Sequence, residues 1–296
     1  MADQKFRSGF VAILGRPNVG KSSIMNRIVG EKVAIVSNHP QTTRSKLLGV
    51  ATGKDWQIVF VDTPGLHKPR TKLGEYMMKS ANDAREGVDA VLAVVDGQKI
   101  AGGDKAVLTD IQNMNCPRFL AVNKIDIVPP EKLMPQLAEL NDFHFDQIIS
   151  VSARTGENID LLTQKLIEAM PEGPKYFPDD MITDQPERIM CAEIIREKAL
   201  NNLRDEIPHG VGVEMLQIKK VSNTLTEIHA NVYCEKESHK SIIIGKQGSM
   251  LRTIGTQARI DIERLLGTKV MLKLWVKVRE DWRNRAGDLR ALGYED

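Results

Sequence analysis

The chain has 296 residues, of which 42% are hydrophobic and 27% are charged, and its formal net charge is +2. This composition is typical of a folded chain long enough for two domains and does not indicate intrinsic disorder. The three cysteines are isolated and have no C-x-x-C spacing, so we expect neither a disulfide framework nor a zinc site. No apolar run approaches the ~18 residues of a membrane span and no signal peptide is recognisable, so we expect a cytoplasmic protein.

The first predicted element is an apolar strand that leads directly into a glycine-rich string and then into a helical pattern. The string reads Gly15-Arg16-Pro17-Asn18-Val19-Gly20-Lys21-Ser22, with Ser23 following. The pattern G-x-x-x-x-G-K-S is typical of a phosphate-binding loop, because its glycines let backbone N–H groups surround a polyphosphate. Lys21 is expected to reach the β/γ-phosphates, and Ser22 to ligate Mg²⁺. The alternative is a chance match, against which the flanking strand and amphipathic helix count.

Short apolar strands alternate with helical stretches through the first part of the chain. Strands are predicted at residues 10–14, 47–51, 58–61, 90–96, 119–122 and 148–151, and helices at 73–85 and 159–170. This alternation predicts an α/β domain with a mostly parallel sheet. Its site should lie in the loops at the carboxyl ends of the strands.

The third predicted strand ends in the sequence Asp62-Thr63-Pro64-Gly65-Leu66. If the phosphate loop is functional, Asp62 should act on Mg²⁺ through its water shell, and Gly65 should offer its backbone N–H to the γ-phosphate at the start of a mobile switch. All five residues are assigned to the nucleotide site. A simple turn is the alternative for D-x-x-G taken alone.

The fifth predicted strand is followed by Asn123-Lys124-Ile125-Asp126. A carboxylate at Asp126 can accept both the ring N–H and the exocyclic amine of guanine. Adenine offers no such pair of donors, so these four residues predict selection of guanine over adenine. The alternative for this string alone is a capped turn.

The sixth predicted strand ends at Ser152-Ala153-Arg154. We expect these three residues to complete the base pocket, with a backbone N–H from Ala153. A helix N-cap at Ser152 or Thr155 is the alternative.

A segment rich in proline, glycine and acidic residues, 170–180, interrupts the pattern and predicts a domain linker. We therefore predict a first domain over residues 1–172, a linker over 173–186 and a second domain over 187–296.

The second domain is predicted to contain a helix at 187–203, strands at 211–221 and 227–234, two helices joined by a G-x-x-G turn, and a last strand at 270–278. Glycines without side chains let an RNA backbone approach such a turn closely, and the helix N-terminus beside it adds partial positive charge. The predicted RNA-binding residues are Ile244, Gly245, Lys246, Gln247, Gly248 and Arg252. A plain helix–helix turn is the alternative.

Side-chain patterns around the turn predict which residues form the core. Residues Leu251, Ile254, Ala258, Ile262 and Leu265 have the spacing of a buried helical stripe. On the last strand, Trp275 stands among alternating apolar residues, and we expect it to pack in the core rather than to stack on a base.

Charge is distributed unevenly along the chain. Residues 236–285 hold twelve Lys/Arg and five Asp/Glu, a net charge of +7, which leaves −5 for the other residues. Such asymmetry favours a polyanion-binding region near the C-terminus, whereas a solvated basic face is the alternative.

The four motifs at strand ends resemble those of the translation-factor-like branch of small GTPases. The resemblance implies a switch threonine between Lys21 and Asp62 that closes onto Mg²⁺ when a γ-phosphate is present. Thr42 and Thr43 are the candidates, with Thr43 favoured and Thr42 left open. The predicted metal set is Ser22, Thr42, Thr43 and Asp62, and the predicted catalytic set is Lys21, Thr43, Gly65 and Asn18.

Leu66 departs from the best-known GTPase pattern, in which a glutamine at this position orients water. Leucine can neither accept a proton nor orient water, so hydrolysis must rely on other groups. In related GTPases without the glutamine, an asparagine at the place of Asn18 helps to hold K⁺ beside the phosphates. K⁺ activation is therefore a hypothesis, and slow intrinsic hydrolysis is expected.

The α-β-β-α-α-β order of the second domain resembles a type II KH domain of the α+β class, and the whole chain resembles the Era family of bacterial ribosome-assembly GTPases. The family resemblance also rests on residues 41–44, 62–67, 193–198 and 275–294. It implies binding of GTP and GDP, of the 3′ end of 16S rRNA and of the 30S subunit, with a peripheral membrane association and no DNA partner.

Two functions from other classes of protein remain as alternatives to a GTP-dependent RNA-binding switch. One is a membrane-associated signalling GTPase whose basic region meets lipid or protein; the absence of an obvious basic amphipathic helix counts against it. The other is an ATP-using nucleotide kinase, which the guanine-selecting string Asn123 to Asp126 disfavours.

Overall fold

The computed structural model describes residues 5–37, 42–64, 71–83 and 87–294, which divide into two compact units. The first takes in the described residues of Met1–Val36, Thr43–Lys68 and Met77–Asp184. The second takes in those of Ser37–Thr42, Pro69–Tyr76 and Gln185–Asp296. The predicted positions Gln41, Gly65, Leu66, His67 and Arg85 lie outside the described residues.

Six strands form the sheet of the first unit. They are β1 Arg7–Leu14, β2 Leu47–Thr52, β3 Trp56–Asp62, β4 Ala90–Asp96, β5 Arg118–Asn123 and β6 Gln147–Ser150. Their order in the sheet is β2-β3-β1-β4-β5-β6. β2 is antiparallel to β3, and the other described pairings are parallel. This confirms the predicted α/β fold with a mostly parallel sheet.

Helices cover both faces of this sheet. Helices α1 Lys21–Val29 and α5 Ile159–Ala169 pack on one face, and α3 Gly102–Ile111 and α4 Pro130–Leu140 pack on the other. The helix between α1 and α3 in the chain, α2 Lys72–Asp83, contains residues of both units. Successive residues of β1 point to opposite faces, so Val11 and Ile13 pack in one apolar cluster, and Ala12 and Leu14 in another. The unbroken apolar run of β1 is thus explained by burial on both faces.

Helices α3 and α4 are absent from the sequence predictions. Helix α3 opens on Gly102 and Gly103, and α4 contains Pro135, and both residue types weaken a helical pattern in sequence. Tertiary packing of Leu108, Ile111 and Leu140 against the sheet stabilises them nonetheless.

The chain after α5 packs along the edge of the first unit. Ser8 Oγ donates to the carbonyl oxygen of Pro174 at 2.6 Å, and Val50 N donates to that of Ile182 at 2.8 Å. Much of the segment predicted as a linker is therefore ordered against β1 and β2.

The second unit contains α6 Glu187–Asn202, β7 Gly212–Ser222, β8 Leu225–Cys234, α7 Glu237–Ile244, α8 Ser249–Leu266, β9 Lys269–Val278 and α9 Ala286–Ala291. Its sheet has the order β7-β8-β9, with β7 antiparallel and β9 parallel to β8. Ile254, Ala258 and Ile262 of α8 are fully buried against it. The α-β-β-α-α-β order confirms the predicted KH-type domain.

The expectation for Trp275 is wrong. Leu272, Leu274, Val276 and Val278 face the core, and Trp275 lies on the opposite face of β9, where 43% of its surface is exposed. Successive side chains of a strand point to opposite faces, which separates Trp275 from these four residues. An aromatic residue within an apolar run does not show in the sequence which face of the sheet its side chain occupies.

None of the helices in the described part of the chain is long and apolar enough to cross a membrane.

Candidate nucleotide site and nucleic-acid interface

The glycine-rich loop joins β1 to α1 at the carboxyl edge of the sheet, with Lys21 as the first helical residue. Gly20 has φ +100°, and a Cβ atom there would lie 2.1 Å from Asn123 Nδ2. Only glycine fits this position, since both the left-handed backbone and the close side-chain approach exclude larger residues. The loop is thereby held against the end of β5, with the N-terminus of α1 and its partial positive charge open to an anion.

Lys21 is buried behind this loop. Its Nζ donates to the carbonyl oxygens of Gly15 and Arg16, both at 3.1 Å. Burial lowers the pKa of Lys21, although the charge of Asp62 opposes the shift. A buried ammonium that is held mainly by neutral carbonyls gains strongly from an approaching anion, so this residue fits a phosphate ligand.

Ser22, Thr43 and Asp62 form a cluster of oxygen atoms. Ser22 Oγ donates to Asp62 Oδ2 at 2.6 Å, Thr43 Oγ1 lies 3.2 Å from the same oxygen, and the two hydroxyls are 3.1 Å apart. Two hydroxyls and a carboxylate are the oxygen ligands that Mg²⁺ prefers. The donor set therefore fits the predicted metal ion.

Asp62 is fully buried, and burial raises the pKa of its carboxyl group, while the charge of Lys21 and hydrogen bonds from Ser22, Thr43 and Thr63 oppose the shift. The Thr63 backbone N–H donates to Asp62 Oδ1 at 3.0 Å, and the Thr63 hydroxyl donates to the Ile13 carbonyl oxygen at 2.9 Å. Thr63 thus fixes the carboxylate relative to β1. Pro64 follows it, and Gly65 and Leu66 lie outside the described residues.

The two candidate threonines have different surroundings. Thr43 belongs to the oxygen cluster. The carbonyl oxygen of Thr42 accepts a hydrogen bond from Arg196 within the second unit. The described geometry therefore favours Thr43 over Thr42 beside Asp62.

Asn123 connects two loops of the site. Its Nδ2 donates to the Val19 carbonyl oxygen at 2.9 Å, and its Oδ1 accepts from Ala153 N at 3.0 Å. The side chain is 2% exposed. One buried amide thus holds the phosphate loop and the Ser152–Arg154 loop in fixed relation.

Asp126 lies beside the Ser152–Arg154 loop. Its Oδ1 accepts from Ser152 Oγ at 2.7 Å, and its Oδ2 pairs with Arg154 at 2.6 Å. Ile125 N also donates to the Val151 carbonyl oxygen. The structure therefore brings the two predicted base-recognition strings together, as their positions after neighbouring parallel strands require.

Asp96 and Asp104 belong to the same edge but were missed in the sequence. Lys124 Nζ donates to Asp96 Oδ2 at 2.6 Å and to the Asn18 carbonyl oxygen at 2.8 Å. Arg16 pairs with Asp104 at 3.1 Å. The position of Asp96 at the end of a predicted parallel strand is the signal that could have found it, whereas Asp104 lies in an unpredicted helix.

In the second unit, residues Gly245 to Gly248 form the turn between α7 and α8. Gly245 has φ +73°, and a Cβ atom there would lie 2.8 Å from Met250 Cβ. Lys246 and Gln247 are exposed at the tip of the turn. Ile244 ends α7 immediately before it.

A groove of about 360 Å³ lies between the start of α8 and β9. Gly248, Arg252, Gly255, Arg259, Leu272 and Leu274 are among its lining residues. Of the predicted RNA-binding residues, Gly248 and Arg252 therefore line the groove, and the other four belong to the turn and the helix end before it. An apolar floor with two arginines at its rim suits bases and phosphates of a single strand.

Two family models match parts of the chain. The model of 50S ribosome-binding GTPases matches residues 10–124, and the KH domain model matches residues 206–283.

Proteins named GTPase Era match almost the full chain. The one from Alkaliphilus metalliredigens is 54% identical over 293 residues, which cover 98% of this chain and 99% of the relative. The one from Clostridioides difficile is 50% identical over 295 residues, with coverage of 98% and 99%.

Two crystal structures share the fold. One is Era in complex with MgGDPNP and nucleotides 1506–1542 of 16S ribosomal RNA, and the other is a single-residue variant of Aquifex aeolicus Era bound to GDP·AlF4⁻. Each has a TM-score of 0.92 and 38% sequence identity, and covers 98% of this chain and 100% of its own.

Proposed function

Because the chain belongs to the Era family of GTPases, we propose that it is a GTP-hydrolysing, RNA-binding switch that acts on 16S rRNA during assembly of the 30S subunit. The observation that carries the enzymatic part is the cluster of Ser22, Thr43 and Asp62 beside the buried ammonium of Lys21. The relative in complex with MgGDPNP and nucleotides of 16S ribosomal RNA supports the same assignment.

The proposed phosphate site uses residues 15–23. Backbone N–H groups of the loop hold the polyphosphate, and Lys21 contacts the β/γ-phosphates. Ser22, Thr43 and Asp62 would hold Mg²⁺, which would supply positive charge against the phosphate oxygens. The proposal also assigns to the phosphate site the four residues after Asp62, which are Thr63, Pro64, Gly65 and Leu66.

The proposed base site uses Asp126 as the acceptor for guanine. Ser152 donates to one of its oxygens and fixes its orientation. The Ala153 backbone N–H donates to Asn123 Oδ1, which holds the Ser152–Arg154 loop in place. Arg154 is 72% exposed, so its pair with Asp126 is screened by solvent. Selectivity for guanine therefore depends on the carboxylate itself rather than on that pair.

The hydrolytic step lacks a water-orienting glutamine, since Leu66 stands after Gly65. We propose that Lys21, Thr43 and the Gly65 backbone stabilise charge on the transferring phosphoryl group, and that Asn18 helps to hold K⁺ there. Hydrolysis is then expected to be faster in KCl than in NaCl at equal ionic strength. Equal rates in the two salts contradict the K⁺ role and leave the nucleotide site intact.

The proposed RNA site is the groove beside the G-x-x-G turn. A KH groove accommodates about four single-stranded nucleotides, with backbone close to the glycines and base edges along the strand. Lys246, Gln247 and Arg252 are then placed for phosphate and sugar contacts, with Ile244, Gly245 and Gly248 shaping the turn.

A nucleotide can change RNA affinity only through an interaction that differs between the GTP and GDP states. Arg196, which is fully buried, hydrogen bonds to the carbonyl oxygen of Thr42, and the next residue, Thr43, belongs to the oxygen cluster. The chain passes from the second unit to the first between Thr42 and Thr43. RNA binding of the full chain with a GTP analogue and with GDP tests directly whether the two nucleotide states differ in RNA affinity.

The domain boundaries after residues 172 and 186, a cytoplasmic location and a peripheral association with the inner face of the cell membrane remain part of the proposal. Flotation with vesicles that contain phosphatidylglycerol tests the membrane association, and absence of the protein from the floated fraction contradicts it.

The first experiment measures binding of the full chain to a labelled single-stranded oligonucleotide of the 16S rRNA 3′ end, with a scrambled sequence as control. The salt concentration is held fixed, because phosphate contacts make affinity salt-dependent. Tighter binding of the true sequence with a non-hydrolysable GTP analogue than with GDP is expected. Lys246→Asp with Gln247→Asp should abolish it and leave GTP binding unchanged.

Binding that is indifferent to both sequence and nucleotide contradicts the RNA-switch proposal. Loss of GTP binding in the Lys246 and Gln247 variant indicates misfolding rather than a defect in the groove.

A further inference from the structure

The face of the β7-β8-β9 sheet that points away from the helices carries an unusual set of side chains. We call it the outer sheet face and define it by Glu214, Lys219, Glu227, His229, Lys269, Met271, Lys273, Trp275 and Lys277. The strand register places Glu227 between Lys219 on one side and Met271 on the other, and places His229 beside Lys273. Trp275 is 43% exposed and Met271 is 40% exposed.

Positive charge dominates the outer sheet face, with four lysines against two glutamates. Glu227 is engaged by Lys273 at 2.7 Å and by His229 at 2.9 Å, and Glu214 by the Tyr233 hydroxyl at 2.6 Å. Lys219 and Lys277 form no ion pair with any residue in the described part of the chain. With four lysines against two glutamates, the net charge of this face is positive.

Trp275 is held in place while its ring stays accessible. The ring of His229 meets it edge-on, with centroids 5.3 Å apart and an interplanar angle of 78°. Lys273 and Lys277 flank Trp275 on the same side of β9, each two residues away, which is roughly 7 Å along a strand. An oriented indole between two ammonium groups offers a base-stacking platform with cations for the neighbouring phosphates.

We propose that the outer sheet face binds single-stranded RNA as a second contact surface, with a base stacked on Trp275 and phosphates beside Lys273 and Lys277. The proposal rests on the RNA-binding function proposed above. β9 is an edge strand, and its Leu272 and Leu274 line the groove while Trp275 points to the other side. An RNA strand that leaves the groove across the edge formed by β9 meets the outer sheet face directly.

A single-stranded nucleic acid fits this surface better than a protein does. Lysine is depleted at protein–protein interfaces, whereas exposed aromatic residues beside lysines on a sheet are typical of single-strand recognition. The lysine excess supplies the charge complementarity for a polyanion.

The test compares two RNAs on the full chain, both with the GTP analogue bound. One is a tetranucleotide that can fill only the groove, and the other is a longer single-stranded oligonucleotide of the 16S rRNA 3′ end. Trp275→Ala should weaken binding of the longer RNA by roughly 5- to 150-fold, since base–aromatic stacking is worth about 1–3 kcal/mol. Tetranucleotide affinity and GTP hydrolysis should not change, and Trp275→Phe should restore most of the loss.

Matched controls come from α4 in the first unit, where Met134 is 65% exposed and Lys132 is also exposed. Met134→Ala and Lys132→Gln remove an apolar and a charged side chain without touching the outer sheet face. Lys277→Gln should lower the salt dependence of longer-RNA binding by a slope of about 0.7, and Lys132→Gln should leave it unchanged.

Intrinsic tryptophan fluorescence measures RNA contact at Trp275 in the wild-type protein, without a variant that could be destabilised. Of the three tryptophans, Trp282 is fully buried and Trp56 is partly buried in the first unit, so Trp275 is the most exposed. The longer RNA should quench wild-type fluorescence, and Trp275→Phe should remove that quenching.

Unchanged affinity of Trp275→Ala for the longer RNA overturns the inference. Quenching by phosphatidylglycerol vesicles but not by RNA also overturns it, in favour of a lipid surface. If wild-type protein binds neither RNA, the proposed function fails as well, whereas tetranucleotide binding with no effect at Trp275 leaves that function standing.

Discussion

Asp126→Asn provides a direct test of base selection, because it changes one carboxylate oxygen into an amide and keeps the shape of the side chain. The structure indicates that this substitution has little effect on the stability of the fold. The remaining carbonyl oxygen of the new amide can still accept the hydrogen bond that Ser152 Oγ now donates to Oδ1 of Asp126 at 2.7 Å. The pair with Arg154 is lost, but Arg154 is 72% exposed, so this costs only about 0–1 kcal/mol of stability.

The effect on nucleotide binding should be much larger than the effect on stability. Guanine loses two hydrogen bonds to a charged acceptor, each worth about 1.5–3 kcal/mol. The total of about 3–6 kcal/mol corresponds to a GTP affinity lower by roughly 10²- to 10⁴-fold. Xanthine has a carbonyl oxygen in place of the exocyclic amine, so the new amide donor should favour it.

The assay is displacement of a fluorescent guanine nucleotide by GTP and by XTP, with thermal unfolding as the check on folding. Arg154→Ala is the control, and it should keep the preference for GTP because it leaves the carboxylate intact. An Asp126→Asn variant that still prefers GTP by the wild-type ratio would refute the assignment of Asp126 as the guanine acceptor.

Two further predictions concern buried charges. Burial raises the pKa of Asp62, so ionisation of this carboxyl group destabilises the nucleotide-free fold as the pH rises above the ordinary Asp range. Asp62→Asn should therefore unfold at a higher denaturant concentration at neutral pH, and its stability should depend less on pH. The same variant should bind the Mg²⁺-nucleotide complex more weakly. A less stable variant at neutral pH contradicts the stability prediction. Arg196→Met removes the partner of the Glu193 carboxylate and of the Thr42 carbonyl oxygen, and should cost about 1–3 kcal/mol in chemical denaturation. The exposed Arg204→Met should cost almost nothing, and equal losses in the two variants would argue against a stabilising role of the Arg196 hydrogen bonds.

The nucleotide site could be predicted largely from sequence because each motif directly follows an apolar strand. Parallel strands bring their carboxyl ends to one edge, so placing the strands also placed the motifs after them. The two base-recognition strings, which are 26 residues apart at Asp126 and Ser152, meet at 2.7 Å for this reason. No sequence pattern, however, showed that Asn123 would join both loops, since its role depends on the three-dimensional distance to Val19 and Ala153.

Features that depend on packing direction could not be predicted. Helices α3 and α4 form because the sheet buries a few of their side chains, although Gly102, Gly103 and Pro135 obscure their pattern. The apolar neighbours of Trp275 on β9 predict a core position for it, which is wrong. Both faces of an edge strand can carry large apolar residues, and only the positions of α7 and α8 decide which face is covered.

The charge of the C-terminal region has a structural meaning that its sequence did not reveal. Part of the positive charge of residues 236–285 lies on two surfaces that share β9. Arg252 and Arg259 of α8 belong to the groove, while Lys273 and Lys277 lie on the outer sheet face. A helix and a strand alternate their side chains with different periods, so charges that mix in sequence separate in space. An RNA strand crossing the edge of β9 would thus be held from both sides, and the affinity for long RNA should exceed what the groove alone provides.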